Sequence, residues 1–158
     1  MGMDLYPVRP QTRKAKRGFS VNLSAWADLI GLLEQFGCNT TEMSSVNDGN
    51  RIRAGICREW GQAIRDQIGN IRNLQIKQKL FPNSSDFTTG LRLTIAGIKP
   101  TSLCLEGKEE EVIRALSRKL KKRITRADYK VTRLSQEDIQ WLKEVSHFFE
   151  NCGGCRQY

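Results

Sequence analysis

Apolar side chains recur every three to four residues in four separate stretches of this chain, a spacing that places them on one side of an α-helix. In the first stretch they are Leu23, Trp26, Leu29, Ile30, Leu33 and Phe36. We expect Ser24 to cap this helix with its hydroxyl and Gly37 to end it in left-handed backbone. The sequence therefore predicts an all-α fold, a compact bundle of about four helices.

The second predicted helix covers residues 51–81. Its apolar side chains are Ile52, Ile56, Trp60, Ala63, Ile64, Ile68 and Ile71. We expect a break or bend near Gly69 and Asn70, because glycine weakens a helix. Between the two helices, Asn47-Asp48-Gly49 is typical of a turn. After the second helix, alternation in "LRLTIAGI" favours a strand, with "SLCL" as a weaker partner, so the prediction includes a possible short β-hairpin between the second and third main helices.

The third predicted helix, "KEEEVIRALSRKLKKRITRA", carries a dense positive charge. Apolar residues take one side, and the remaining circumference holds seven basic side chains with no acid between positions 114 and 126. These residues are Arg114, Arg118, Lys119, Lys121, Lys122, Arg123 and Arg126. Such a face favours an acidic partner.

The fourth predicted helix, "LSQEDIQWLKEVSHFFENCGG", begins at a strong start signal. We expect Ser135 to cap it, with Glu137 and Asp138 in its first turn. Its apolar side chains are Trp141, Leu142, Val145, Phe148 and Phe149. Continuing the helix places Cys152 on the same side, where it is interpreted as a small core residue.

The C-x-x-C spacing of Cys152 and Cys155 is compatible with half a metal site, a redox pair or the end of a helix. A structural zinc site usually needs two such pairs, and a redox pair normally sits at a helix N-terminus. The other cysteines are single: Cys38, Cys57 and Cys104. We therefore favour the helix end, with the two intervening glycines as the stop, and expect no metal or other cofactor. Convergence of the cysteines in space stays open.

Composition limits the setting in which the chain works. It has 158 residues, a net charge of +9 and an odd number of cysteines. It lacks both an 18-residue apolar run and an apolar N-terminal segment, so we expect a cytoplasmic protein with reduced thiols and no membrane partner. We divide it into a basic flexible arm, residues 1–18, and a single helical domain, residues 19–158. The basic side chains of the arm are Arg9, Arg13, Lys14, Lys16 and Arg17.

Motifs of catalysis are lacking in the sequence. Its single histidine, His147, points away from the apolar side of the fourth helix and is expected to be exposed. No nucleophile elbow, phosphate loop or dinucleotide fingerprint is present, and no small-molecule site is evident. The sequence therefore favours a binding protein over an enzyme, and a nuclease with an undeclared site is kept as an alternative.

Several turn and core positions resemble a pattern in small bacterial proteins of unknown function. The shared positions are Asn22, Trp26, Leu33, Gly37, Asn47-Asp48-Gly49, Trp60, Ala63-Ile64, Phe149 and Cys152-Gly153-Gly154. In those proteins the two glycines are often followed by Phe, where this chain has Cys155. The resemblance implies helices and a bacterial or phage setting, and it transfers no activity. The Phe that those proteins have in place of Cys155 also argues against a necessary metal role for Cys155.

The first functional hypothesis is a non-enzymatic nucleic-acid-binding protein that contacts the phosphate backbone of RNA or DNA. Its contact residues are Arg9, Arg13, Lys14, Lys16, Arg17, Arg114, Arg118, Lys119, Lys121, Lys122, Arg123 and Arg126. Candidates for base stacking are Tyr6, Phe81, Phe87, Tyr129 and Tyr158. The alternative is a small protein-binding module, such as a subunit, inhibitor or immunity-type protein, with an acidic protein partner.

Overall fold

The computed structural model describes residues 2–44, 48–76, 103–105 and 129–158, together with Arg114, Ser117, Arg118, Lys121, Arg123 and Thr125. In chain order the elements are β1 Gly2–Pro7, β2 Phe19–Asn22, α1 Leu23–Gln35, β3 Arg51–Ile52, α2 Ala54–Gln67, β4 Ile71–Ile76, β5 Leu103–Leu105, β6 Tyr129–Arg133, α3 Gln136–Asn151 and β7 Cys155–Gln157. One antiparallel sheet has the strand order β2-β1-β7-β3, and a second has the order β5-β4-β6.

The prediction of an all-α bundle is wrong, because the fold is a mixture of helices and antiparallel sheets. The first sheet is built from strands of two to six residues. Such short strands hold too few alternating positions to show a period of two in the sequence. Their pairing is also remote, since Tyr6 near one end of the chain pairs with Arg156 near the other.

The first 18 residues do not form the predicted flexible arm. From Gly2 to Pro7 they form β1, which lies between β2 and β7 in the first sheet. A short 3-10 helix, Ala15–Arg17, comes next and buries Ala15. The first and last segments of the chain therefore belong to one structure.

The predicted helix boundaries are confirmed in part. Helix α1 is capped by Asn22, whose side chain accepts a hydrogen bond from the Ala25 N–H, and not by Ser24. Gly37 follows the helix with a φ of 78°, as expected. The Ser135 cap is confirmed and forms a capping box with Asp138.

The second predicted helix stops where a break was expected, but the chain continues from there as a strand. Helix α2 ends at Gln67, a 3-10 turn Ile68–Asn70 comes next, and the backbone then enters β4. Ile52 lies in β3 before the helix. "SLCL" supplies β5, which pairs with β4, whereas "LRLTIAGI" lies outside the described residues. Most of the third predicted helix also lies outside them.

One hydrophobic core connects the first sheet with all three helices. Its largest fully buried side chains include Trp26, Trp60 and Phe149. The indole N–H of Trp26 donates to the Ser44 carbonyl, and that of Trp60 donates to the Asn39 carbonyl, both at 2.9 Å. These bonds satisfy the polar atoms of the two rings and fix the loop after α1. No helix within the described ranges is both long and apolar enough to span a membrane.

Candidate functional site

A row of exposed side chains crosses the outer face of the first sheet. Arg156 lies directly opposite Tyr6 on β1 and directly opposite Arg51 on β3. Residues opposite one another in an antiparallel sheet point to the same side, and neighbouring strands lie about 4.8 Å apart. All three side chains are exposed, so the sheet presents one tyrosine and two arginines in a line.

A second tyrosine extends this row. The rings of Tyr6 and Tyr158 are 5.7 Å apart in an edge-on arrangement. They are the most exposed large hydrophobic side chains of the described residues, at 54% and 45%. Backbone hydrogen bonds of 2.7 and 2.8 Å between Asp4 and Tyr158 hold this end of the chain in place. The two rings are therefore displayed to solvent on fixed backbone.

The row continues into an open cleft of about 470 Å³ at the N-terminus of α2. Its lining includes four arginines: Arg9, Arg51, Arg53 and Arg58. We call these four arginines, with Arg156, Tyr6 and Tyr158, the arginine–tyrosine face. Arg9 enters it because the segment after β1 crosses the turn between α3 and β7, where its N–H donates to the Cys152 carbonyl at 3.1 Å.

Little negative charge balances this face. Glu42 pairs with Arg53 through both the backbone N–H and the guanidinium. Glu150, the acid that lines the cleft, pairs with Arg65 at 3.1 Å. Within the described ranges, Arg9, Arg51 and Arg58 make no ion pair.

Two charge placements on the face oppose local stability. Arg51 and Arg156 are like charges directly opposite each other across two strands, an arrangement that destabilises a sheet. Helix α2 begins after Arg53 and has no acid in its first turn, although the positive end of a helix dipole favours acids. Violations of local rules concentrate at functional sites, so these placements mark the face as a candidate site.

The structure separates the basic residues predicted in the first 18 positions. Only Arg9 joins the arginine–tyrosine face. Lys14 pairs with Glu144 on α3 at 3.5 Å and lines a different, smaller cleft together with Arg17. Arg13 and Lys16 are exposed near the 3-10 helix.

The predicted basic helix face is described only in part. Arg114, Arg118, Lys121 and Arg123 are exposed. Lys119, Lys122 and Arg126 lie outside the described residues, as do the stacking candidates Phe81 and Phe87, whereas Tyr129 lies in β6. The role of positions 114–126 stays a prediction.

His147 is half-buried, not exposed as the sequence predicted. Its Nε2 lies 3.2 Å from the Thr12 hydroxyl, which belongs to the segment before the 3-10 helix. This segment packs against α3 and covers the ring. The histidine thus joins the first 18 residues to the helical part of the chain.

A second cluster lies beneath the face and consists of three cysteines. Cys57 on α2, Cys152 at the end of α3 and Cys155 on β7 are all fully buried. Their sulfur atoms lie within 4.8 Å of one another, and those of Cys57 and Cys155 are 3.8 Å apart. All three are free thiols. We call this group the cysteine junction because a helix start, a helix end and a strand meet there.

The glycines between Cys152 and Cys155 build the junction. Gly153 and Gly154 have φ angles of 63° and 89°, which glycine adopts without strain. The two left-handed residues turn the chain from α3 into β7 and return Cys155 to the side of Cys152. Hydrogen bonds from Val8 and Gln11 to the carbonyls of Gly154 and Asn151, both 2.8 Å, hold the turn from outside. The predicted helix stop is thus confirmed.

The three thiols influence one another electrostatically. Hydrogen bonding from Cys155 and Cys57 lowers the pKa of the Cys152 thiol, and the backbone N–H of Gly154 acts in the same direction. The same contacts with Cys152 raise the pKa of Cys57 and of Cys155, because donating to a sulfur anion requires that each donor keep its proton. Of the three thiols, Cys152 is therefore the one that loses its proton most readily.

Two features of these sites were not predicted from the sequence. The run Arg51-Ile52-Arg53 with Arg58 carried a readable signal, since basic residues gather at the predicted start of a helix. The approach of Cys57 to the C-x-x-C pair carried none, because the two lie about a hundred residues apart in the chain. Comparisons of the chain with protein-family models, with curated proteins and with solved structures found no match.

Proposed function

We propose that this protein is a non-enzymatic binding protein for single-stranded nucleic acid and that the arginine–tyrosine face is its binding surface. The observation that carries the proposal is the exposed row of Tyr6, Arg156 and Arg51, which leads into the arginine cleft. Arginines without acidic partners supply phosphate contacts. Exposed tyrosines supply flat surfaces on which unpaired bases stack.

The charge pattern favours a polyanion over a small neutral ligand. Of the five arginines of the face, Arg51 and Arg156 lie on neighbouring strands of the first sheet, Arg9 lies in the segment after β1, and Arg53 and Arg58 lie at the start of α2. An arginine binds a phosphate through two parallel hydrogen bonds, which makes it well suited to a repeated phosphate backbone. The cleft is open and polar, so a chain can pass through it without being enclosed.

The tyrosines favour an unpaired strand over a duplex. In a duplex the flat faces of the bases are stacked on one another and are not available to side chains. Tyr6 and Tyr158 were among the stacking candidates from the sequence, and β1 and β7 place them beside Arg156. Stacking on an aromatic side chain contributes about 1–3 kcal/mol per base.

The first experiment is a fluorescence titration with single-stranded RNA, single-stranded DNA and duplex DNA at several salt concentrations. Polyglutamate serves as a polyanion without bases. We expect tighter binding to a single strand than to either control and a steep loss of affinity with salt, because bound phosphates release counterions. Equal binding to polyglutamate, or a preference for duplex DNA, contradicts the proposal; strong binding to polyglutamate alone supports an acidic protein partner.

Two matched pairs of variants locate the surface. Arg156→Gln is expected to weaken binding to a single strand and to reduce the salt slope by about 0.7, whereas Lys143→Gln on the exposed side of α3 removes the same charge and leaves both unchanged. Tyr6→Ala with Tyr158→Ala is expected to lower affinity roughly tenfold or more, and the corresponding Phe variants retain it because they keep the rings. If Arg156→Gln and Lys143→Gln change the affinity equally, or if the Ala and Phe variants of the tyrosines do, the arginine–tyrosine face is not the binding surface.

The basic residues at 114–126 are tested in the same assay. Charge reversal at Arg118, Lys121 and Lys122 weakens binding if the segment 114–126 also contacts the nucleic acid. Binding that survives this triple change but is lost in Arg156→Gln assigns recognition to the arginine–tyrosine face alone.

A further inference from the structure

We propose that the cysteine junction is a binding site for one thiophilic metal ion, held by the sulfur atoms of Cys57, Cys152 and Cys155. The sites differ in location and chemistry, so this proposal does not depend on nucleic-acid binding. The junction is buried between α2, α3 and β7, where an ion would fix the start of one helix to the end of another.

The sulfur positions suit coordination by a common ion. Four sulfurs at about 2.3 Å from a tetrahedral zinc ion lie about 3.8 Å from one another. The sulfurs of Cys57 and Cys155 are 3.8 Å apart, and all three lie within 4.8 Å. The other two sulfur–sulfur separations therefore exceed 3.8 Å by at most about 1 Å. An S–S bond is about 2.05 Å, so neither C-x-x-C oxidation nor a Cys57–Cys155 bridge fits without a larger displacement.

The local backbone also resembles a chelating turn. Cys152 and Cys155 have the C-x-x-C spacing found in zinc sites, and the two left-handed glycines direct both sulfurs to one point. Three buried thiols that served only to fill space would not need the chelating spacing.

The ligand set selects the class of metal. Within the described ranges, no His, Asp or Glu side chain completes the group, so the donors are three sulfurs. Thiolates favour zinc, copper(I) and related soft ions, whereas calcium and magnesium require oxygen. Binding replaces the protons of the thiols, which pass to the solvent.

Cadmium is a direct probe of the site. Reduced, metal-free protein is titrated with Cd²⁺ in the absence of nucleic acid, and thiolate-to-metal charge transfer is followed in the near ultraviolet. We expect saturation at one ion per chain, loss of the charge-transfer band in a large excess of Zn²⁺, and a rise in the melting temperature, since the ion binds the folded state alone. No charge-transfer band, or unchanged melting in the presence of both ions, overturns the proposal.

Single cysteine changes identify the ligands. Cys57→Ser, Cys152→Ser and Cys155→Ala are each expected to weaken binding at least tenfold, and Cys38→Ser, outside the junction, is expected to bind as the parent chain does. Circular dichroism establishes that each variant is folded, and Cys155→Ala places no unpaired hydroxyl in this buried site. Full binding by folded Cys57→Ser or Cys155→Ala, or loss of binding in Cys38→Ser alone, overturns the assignment.

Discussion

The cysteine junction and the arginine–tyrosine face meet on opposite sides of β7. Cys155 and Arg156 are adjacent in β7, and one is fully buried while the other is exposed, because side chains alternate along a strand. In the junction, three buried sulfur atoms and a glycine turn lie close together. In the face, arginines lie opposite one another or at the positive end of a helix, where their charge is locally unfavourable. Because of this difference, we expect substitutions at buried positions of β7 to disrupt the structure and substitutions at the adjacent exposed positions to be tolerated.

The largest expected effect comes from the turn of the junction. In Gly153→Ala the new Cβ would overlap the carbonyl oxygen of Arg9, and the backbone would be strained at a φ of 63°. We expect a loss of about 3 kcal/mol or more in the free energy of unfolding, measured by urea denaturation.

Gly37→Ala is the control for the turn, since Gly37 has a φ of 78° but no atom within 4 Å of an added Cβ. Strain alone should cost about 1–2 kcal/mol there. Equal losses at Gly153 and Gly37 would mean that the contact with Arg9 contributes nothing.

A smaller effect is expected inside α2, which carries residues of both regions. An added Cβ at Gly61 would lie 2.6 Å from Glu150 Cγ and 2.8 Å from the Ser146 carbonyl oxygen, so α2 and α3 would have to move apart. We expect Gly61→Ala to lower the free energy of unfolding by about 1–3 kcal/mol. Thermal or urea unfolding measures the change.

Gly55→Ala is the matched change in the same helix. Nothing lies within 4 Å of an added Cβ at Gly55, so the better helix propensity of alanine should raise stability by up to about 1 kcal/mol. An increase in the free energy of unfolding in Gly61→Ala, or a large decrease in Gly55→Ala, would contradict the conclusion that Gly61 is packed against α3 and that Gly55 faces open space.

The smallest effect concerns the charges of the face. Arg156→Gln removes the like-charge pair with Arg51 and should raise the free energy of unfolding by a few tenths of a kcal/mol at low salt. The gain should fade in high salt, which screens the repulsion. Lys143→Gln makes the same change in net charge and should have a smaller effect. A clear loss of stability in Arg156→Gln would show that Arg156 supports the fold.

Local signals in the sequence predicted local features well. The apolar spacing around Trp26, Trp60 and Phe149 marked the central parts of three helices correctly, although the second was predicted to reach residue 81 and ends at Gln67. All three side chains are fully or almost fully buried. The Ser135 cap followed from its separation from Asp138. Asn22 took the cap expected of Ser24 because the helix begins two residues earlier than predicted, at Leu23. Each of these features depends on residues within about four positions.

Local sequence signals could not predict the pairing of strands that are far apart in the chain. Nothing near Met3 or Leu5 announces that this segment lies in the middle of a sheet, because its partners come from positions 19–22 and 155–157. For the same reason the flexible arm was predicted where β1 lies. The arginine–tyrosine face combines residues from both ends of the chain with α2, so only a single one of its five arginines, Arg9, was among the predicted contacts.

The sequence by itself determined the central parts of three helices, the Ser135 cap, the glycine stop after Cys152 and the excess of positive charge, because backbone propensity and charge are properties of neighbouring residues. The tertiary structure alone decided the first sheet, the alignment of Tyr6, Arg156 and Arg51, and the approach of Cys57 to Cys152 and Cys155. These depend on burying one common core, and the free energy of that burial is shared by segments that are distant in the chain.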